Sequence, residues 1–85
     1  MERRLGVVSI LVYEPTTVKE LNSILSQFSS IILGRMGIPL RDKNVNIIVL
    51  VIDGTTDELG ALTGKIGKLK GISVKSILTE YKKNN

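Results

Sequence analysis

The sequence contains no cysteine, no histidine and no tryptophan, and each absence closes a class of chemistry. Without cysteine no disulfide braces the chain, and without cysteine or histidine the thiolate and imidazole ligands of the usual transition-metal sites are missing. The common nucleophile–base pairs go with them: there is no Cys nucleophile, no His base, and no serine set in a G-x-S-x-G elbow. Aromatic residues are scarce, with Tyr13, Phe28 and Tyr81 making up the whole set. No apolar run approaches the roughly 18 residues that a membrane-spanning helix needs. The basic pair Arg3-Arg4 ahead of the apolar run Leu5–Tyr13 is not read as a secretory leader, because that run is short and strand-like and is followed by Glu14-Pro15. These absences predict a cytoplasmic protein that is not an enzyme, holds no metal or cofactor and does not enter a membrane.

What is present fits one small domain. Eighty-five residues bury a modest core, and with disulfides and metals excluded, self-association is the remaining route to added stability. Twelve Lys and Arg against eight Asp and Glu give a net charge of +4, which tolerates anionic partners without requiring them. The adjacent basic pairs, Arg3-Arg4 and Lys82-Lys83, sit near the two ends, and residues from about Lys82 onward read as a frayed tail, leaving an ordered core of about 4–81.

The stretch Val45–Gly71 organises the rest. Ile47–Ile52 is an unbroken, mostly β-branched apolar run, which predicts a strand buried on both faces. Asp53-Gly54 ends it, and Thr55 with Glu58 three positions on has capping-box spacing, so a helix starts there. Leu59, Leu62, Ile66 and Leu69 form its core stripe, and Gly71 stops it. Gly60, Gly64 and Gly67 recur at helical spacing on the far side, roughly 150° from that stripe at about 100° per residue. Interior glycines weaken a helix, so this bare face is either a tolerant solvated surface or a place of close approach, a subunit contact or a ligand.

Before this stretch, Leu5–Tyr13 predicts a second central strand, with Val8, Ile10 and Val12 on one face and Val7, Leu11 and Tyr13 on the other. Glu14-Pro15-Thr16 turns the chain, and Thr17 with Glu20 repeats the capping-box spacing. The helix that follows carries Val18, Leu21, Ile24, Leu25, Phe28, Ile31 and Ile32 on one face and is predicted to run to about Gly34. Met36–Leu40 leaves room for a short strand, and Pro39 places it at a sheet edge. Ile72, Val74 and Leu78, alternating with Ser73, Lys75 and Thr79, predict a half-exposed last strand.

The two halves repeat: VVSILVYEPTTVKEL matches IIVLVIDGTTDEL, each an apolar strand, an acidic residue, a Thr-Thr turn and a capped helix. Two strand–helix–strand halves of this size predict an α+β, ferredoxin-like βαββαβ sandwich, a four-stranded antiparallel sheet with two helices on one face. Its first and third strands are expected side by side in the centre, yet both are apolar on both faces, so one apolar sheet face stays uncovered. That predicts a homo-oligomer, a dimer or tetramer, with Val7, Leu11, Tyr13, Gly60, Gly64 and Gly67 as candidate interface residues. If the two central strands also run parallel, the turns that follow them share one end of the sheet. Glu14, Thr16, Thr17, Asp53, Gly54, Thr55 and Thr56 then form a candidate pocket for a small polar ligand, and its carboxylates favour a zwitterion over a polyanion. The acidic set Glu14, Asp53, Asp57 and Glu58 could bind a hard cation, but helix capping accounts for it without a metal. Gly60–Lys65 approaches a phosphate loop, but reads G-x3-G-K followed by Ile66 and falls inside a helix.

Three segments together carry a family resemblance: Gly34-Arg35-Met36-Gly37-Ile38-Pro39, the run Asp53–Gly67 (DGTTDELGALTGKIG) and Val74-Lys75-Ser76. From about Leu5 to Tyr81 the chain resembles the small ACT-like proteins called iron-only hydrogenase system regulators. The resemblance implies an ACT-like ferredoxin fold, self-association, and a role in regulating transcription or assembly of a hydrogenase system. More distantly the chain is similar to the regulatory domain of nickel-responsive repressors. Their nickel ligands are His and Cys, absent here, and no residues remain for their separate DNA reader, so direct DNA binding is not expected. ACT domains more broadly imply an effector, often an amino acid, near the turn after the first strand; here that turn, Glu14-Pro15-Thr16-Thr17, lacks the glycine such sites commonly use. The leading expectation is a non-enzymatic regulatory module that senses a small molecule or docks on a partner. A basic nucleic-acid-binding domain and a purely structural assembly protein are the alternatives.

Overall fold

The computed structural model describes residues 3–79. Tyr81, the Lys82-Lys83 pair and the predicted tail therefore lie outside the described residues. Strand β1 (Arg4–Val12) leads through a 3-10 turn at Pro15–Thr17 into helix α1 (Val18–Gln27). Strands β2 (Ile32–Leu40) and β3 (Val45–Gly54) form a hairpin, followed by helix α2 (Thr56–Gly67) and strand β4 (Ile72–Thr79). The sheet order is β2-β3-β1-β4 with every neighbouring pair antiparallel, and this is the ferredoxin-like sandwich that the repeat predicts.

One face of the two central strands meets the helices. Val8, Ile10 and Val12 of β1 and Ile48, Leu50 and Ile52 of β3 are buried against Leu21 and Leu25 of α1, Leu59, Leu62 and Ile66 of α2, and Ile31. Alternation along each strand sends the other half of its apolar residues to the opposite face, where no helix covers them. The two-sided apolar character of β1 and β3 thus divides into a core half and an open half.

Several local predictions change in the structure. The central strands run antiparallel, with register from Arg4↔Gly54 to Val12↔Asn46, so the turns after β1 and β3 lie at opposite ends of the sheet. A crossover helix returns the chain so that β2, not β3, runs parallel to β1, and β3 comes back between them. Helix α1 ends at Gln27, well short of Gly34. Ser29-Ser30 enter a single 3-10 turn, and Ile32 already pairs with Ile52, since β-branched residues next to a strand edge gain more from the ladder than from another helical turn. Strand β2 consequently has nine residues instead of five, with a bulge between Ile32 and Gly34, and it does form a sheet edge.

The capping box at Thr17 and Glu20 does not form. Pro15 starts the 3-10 turn early, so Thr17 is already helical at φ −82°, ψ −14°, and its buried hydroxyl instead donates to the Lys70 carbonyl at 2.7 Å. That bond belongs to a lock between the end of β1 and the turn after α2. Tyr13 N–H donates to the Gly71 carbonyl at 2.8 Å, and Gly71 takes φ +68°, where a Cβ would come within 2.5 Å of the Glu14 Cβ. Helix α2 itself ends at Gly67, so Gly71 turns the chain into β4 rather than stopping the helix.

Gly64 is the contrasting case, because a Cβ there meets nothing within 4 Å. Gly71→Ala is expected to destabilise the fold by about 2 kcal/mol or more, through backbone strain and the collision with Glu14. Gly64→Ala is expected to stabilise it by about 0.5–1 kcal/mol. Urea denaturation of both variants against wild type checks the opposite signs.

Candidate functional site

The seven residues predicted to form one ligand pocket divide into two groups at opposite ends of the sheet. Eight ladder steps at about 3.4 Å place those ends roughly 27 Å apart. Glu14, Thr16 and Thr17 sit beside the α2–β4 turn, where the Thr16 hydroxyl donates to Glu14 Oε1 at 3.1 Å. Asp53, Gly54, Thr55 and Thr56 sit at the start of α2. Among the described residues no three acidic side chains gather into a cation site.

At the α2 end the sequence signal was accurate. Thr55 N–H donates to Glu58 Oε1 at 2.8 Å and Glu58 N–H donates to Thr55 Oγ1 at 3.1 Å, a complete capping box. Arg3, from the basic pair ahead of β1, closes over it. Its guanidinium donates to the Asp53 carboxylate at 3.2 Å and to the Asp53 carbonyl, and lies 3.6 Å from Glu58 Oε1. The hydrogen bond from the Thr55 backbone is the main force holding the Glu58 carboxyl below its ordinary value of 4.5; the Thr55 hydroxyl and Arg3 add to it and partial desolvation opposes it. These carboxylates are therefore occupied by structural partners. The phosphate-loop-like Gly60–Lys65 lies within α2, where its glycines are exposed helix backbone.

The candidate interface residues also divide. Val7, Leu11 and Tyr13 lie on the open sheet face, whereas Gly60, Gly64 and Gly67 lie on the exposed outer side of α2, across the molecule. The open face continues well beyond the residues singled out from sequence. Register aligns Val51, Val7 and Ile77 in one row, Met36 and Val49 in the next, and Ile38, Ile47 and Leu11 in a third. Val7 is 41% exposed, Val51 43%, Met36 56% and Ile77 68%. Ser9, Ser73 and Lys75 supply the polar positions on the β4 side of the same face. β2's share was missed because its residues were read as helix end and short strand.

At the β2–β3 hairpin end lies a cleft of about 450 Å³. Its walls are Val12, Tyr13 and Pro15 from the end of β1 and Pro39, Leu40 and Val45 from the hairpin, with Arg41, Asn44 and Asn46 as its polar lining. A 3-10 turn at Arg41–Lys43 carries the chain round, and Asn44 follows in the left-handed region at φ 53°. No motif in the sequence marks the charged turn Arg41–Asn44 as part of a site.

A four-stranded antiparallel sheet carrying two helices on one face and an open apolar face on the other defines an ACT-like ferredoxin fold. Within that class, residues 4–76 match the TM1266-like family, described as "Iron-only hydrogenase system regulator, putative". The chain belongs to this family. It is similar to TM1266 from Thermotoga maritima at 36% identity, over 93% of this chain and 100% of that one, with a TM-score of 0.88. At fold level it is similar to the ACT domain from GTP pyrophosphokinase of Chlorobium tepidum, at 20% identity over 89% of this chain and 100% of that one, TM-score 0.74. The C-terminal domain of MgtC from Mycobacterium tuberculosis shares the fold at 16% identity, over 96% and 94% of the two chains, TM-score 0.67. No curated protein matches the chain.

Since Glu58 titrates lower in the folded chain than in the unfolded one, its charge stabilises the fold above pH 4.5, and that contribution is lost as the pH falls through the lowered value. Glu58→Gln keeps an acceptor for Thr55 N–H but has no charge to lose. Thermal unfolding of the two proteins is expected to differ at neutral pH, with wild type the more stable, and the difference should close below pH 4.5.

Proposed function

We propose that this chain is a non-enzymatic regulatory module of an iron-only hydrogenase system, working in the cytoplasm as a homo-oligomer and responding to a small molecule. Membership of the TM1266-like family supports the regulatory role, and regulation at the level of transcription is the form it takes in this reading. The observation that carries the assembly is the open sheet face. Three rows of valine, isoleucine, leucine and methionine face solvent across β2, β3 and β1, and an apolar surface of this continuity marks an interface. A second copy presenting the same face would cover both, with the polar β4 positions at the rim. Small-molecule response rests on the fold shared with an ACT domain and on the cleft at the hairpin end.

A nucleic-acid reader of this topology would stack bases on aromatic side chains of the open face. Among the described residues that face carries Tyr13, while Phe28 packs against the core on the helix side.

Sedimentation equilibrium of the wild-type chain is expected to give a multiple of 9.3 kDa. Val51→Asp, which places a charge on an exposed position of a central strand without touching the core, is expected to give the monomer with unchanged far-ultraviolet circular dichroism. A wild-type monomer at micromolar concentration would contradict the assembly reading.

A further inference from the structure

The cleft at the hairpin end has a specific chemistry. Six of its lining residues are apolar, two are asparagines, and the single charged one is Arg41. Among the described residues no carboxylate pairs with the Arg41 guanidinium, since the ion pairs among them are those of Arg3 at the other end of the sheet. Glu14, the nearest acidic residue in sequence to the cleft wall at Pro15, is held elsewhere. Its carboxylate accepts from the Thr16 hydroxyl, and its Cβ packs at the Gly71 turn. The site is thus a concave apolar surface with one cationic fork at its rim and no carboxylate among its lining residues; Asp42 follows Arg41 in the turn without forming an ion pair with it.

We propose that this cleft binds a small monocarboxylate with a compact, branched apolar body, its carboxylate on Arg41 and its body against Tyr13, Leu40 and Val45. The proposal deepens the reading of the chain as a small-molecule-responsive module and rests on it. A planar guanidinium takes a carboxylate with two parallel hydrogen bonds and balances its single charge, whereas one Arg leaves the second charge of a phosphate dianion unbalanced. The Asn44 and Asn46 amides can donate or accept, so they tolerate the head group without fixing its charge. A volume of about 450 Å³ holds a ligand of metabolite size. The ammonium of an amino acid would meet no carboxylate among the lining residues, so in this proposal the site selects against the zwitterion that the sequence-based pocket favoured.

The test is a titration of isotope-labelled full-length chain followed by amide resonances, using three probes of one shape: 4-methylpentanoate, its neutral amide 4-methylpentanamide, and L-leucine. The acid is expected to give saturable shifts centred on Tyr13, Leu40, Arg41 and Val45, with a dissociation constant on the order of 1 mM. The amide and leucine are each expected to bind about tenfold more weakly, for want of the charge-assisted bond in one and of an ammonium partner in the other. Arg41→Gln should reduce the acid to the affinity of the amide, and Arg41→Lys, which keeps the charge without the fork, should fall between. The proposal is overturned if the acid gives no saturable shift at these positions, if the amide or leucine binds as tightly, or if Arg41→Gln leaves the acid unaffected. Sedimentation of the same samples separates the two readings. An oligomer that ignores all three probes refutes the cleft alone, whereas a monomer refutes the regulatory assembly whatever the titration shows.

Discussion

The antiparallel ladder between β1 and β3 is the constraint on which the rest of the molecule depends. Nine consecutive pairs, from Arg4↔Gly54 to Val12↔Asn46, fix which side chains face the helices and which ends of the sheet the turns occupy. Because side chains alternate with a period of two, a slip of one residue would send Val8, Ile10 and Val12 out of the core and bring Val7 and Leu11 in. The helices specify the register by covering one face with Leu21, Leu25, Leu59, Leu62 and Ile66. The opposite face then presents what is left of two strands made almost wholly of aliphatic residues. The core and the proposed assembly surface are two products of one ladder.

Much of this was legible in the sequence. The internal repeat gave the βαββαβ order, and the Thr55–Glu58 spacing gave the start of α2 and its reciprocal hydrogen bonds. Pro39 marked an edge strand correctly. The errors share a physical origin, in that local pattern was taken where partner geometry decides. Ile31 and Ile32 continue the apolar spacing of α1, yet the chance to pair with Ile52 makes Ile32 the first residue of a strand. Thr17 stands where a cap would stand, but Pro15 starts the turn earlier and frees its hydroxyl for Lys70. No local signal reports relative strand direction, and assuming a parallel central pair merged two turns that the fold holds apart. Arg41 was hidden for the same reason: a charged turn becomes the polar rim of a cleft only when the end of β1 is folded against it.

The family relationship and the physical reading support each other at different levels. The match over residues 4–76 and the 36% identity to TM1266 establish the family, and the ACT domain of a GTP pyrophosphokinase shows that the same frame serves as one module of another protein. None of this specifies a ligand or a surface. The proposals about them come from the distribution of charge and exposure in this chain, where Asp53 and Glu58 are engaged by Arg3 and the α2 cap, and Arg41 lines an apolar hollow.

The two ends of the sheet are fastened by different kinds of bond. At one, Arg3 holds Asp53 and Glu58 through charge across partly exposed side chains. At the other, the Thr17 hydroxyl, the Tyr13 amide and the positive-φ backbone of Gly71 form a lock with no ions in it. Dissolved salt screens the first and leaves the second untouched. The molecule therefore frays asymmetrically as ionic strength rises, loosening where the chain enters β1 while the hairpin end keeps its shape. A cleft built at the salt-insensitive end keeps its contours as ionic strength changes, so its shape and the strength of the charge at its rim answer to salt separately.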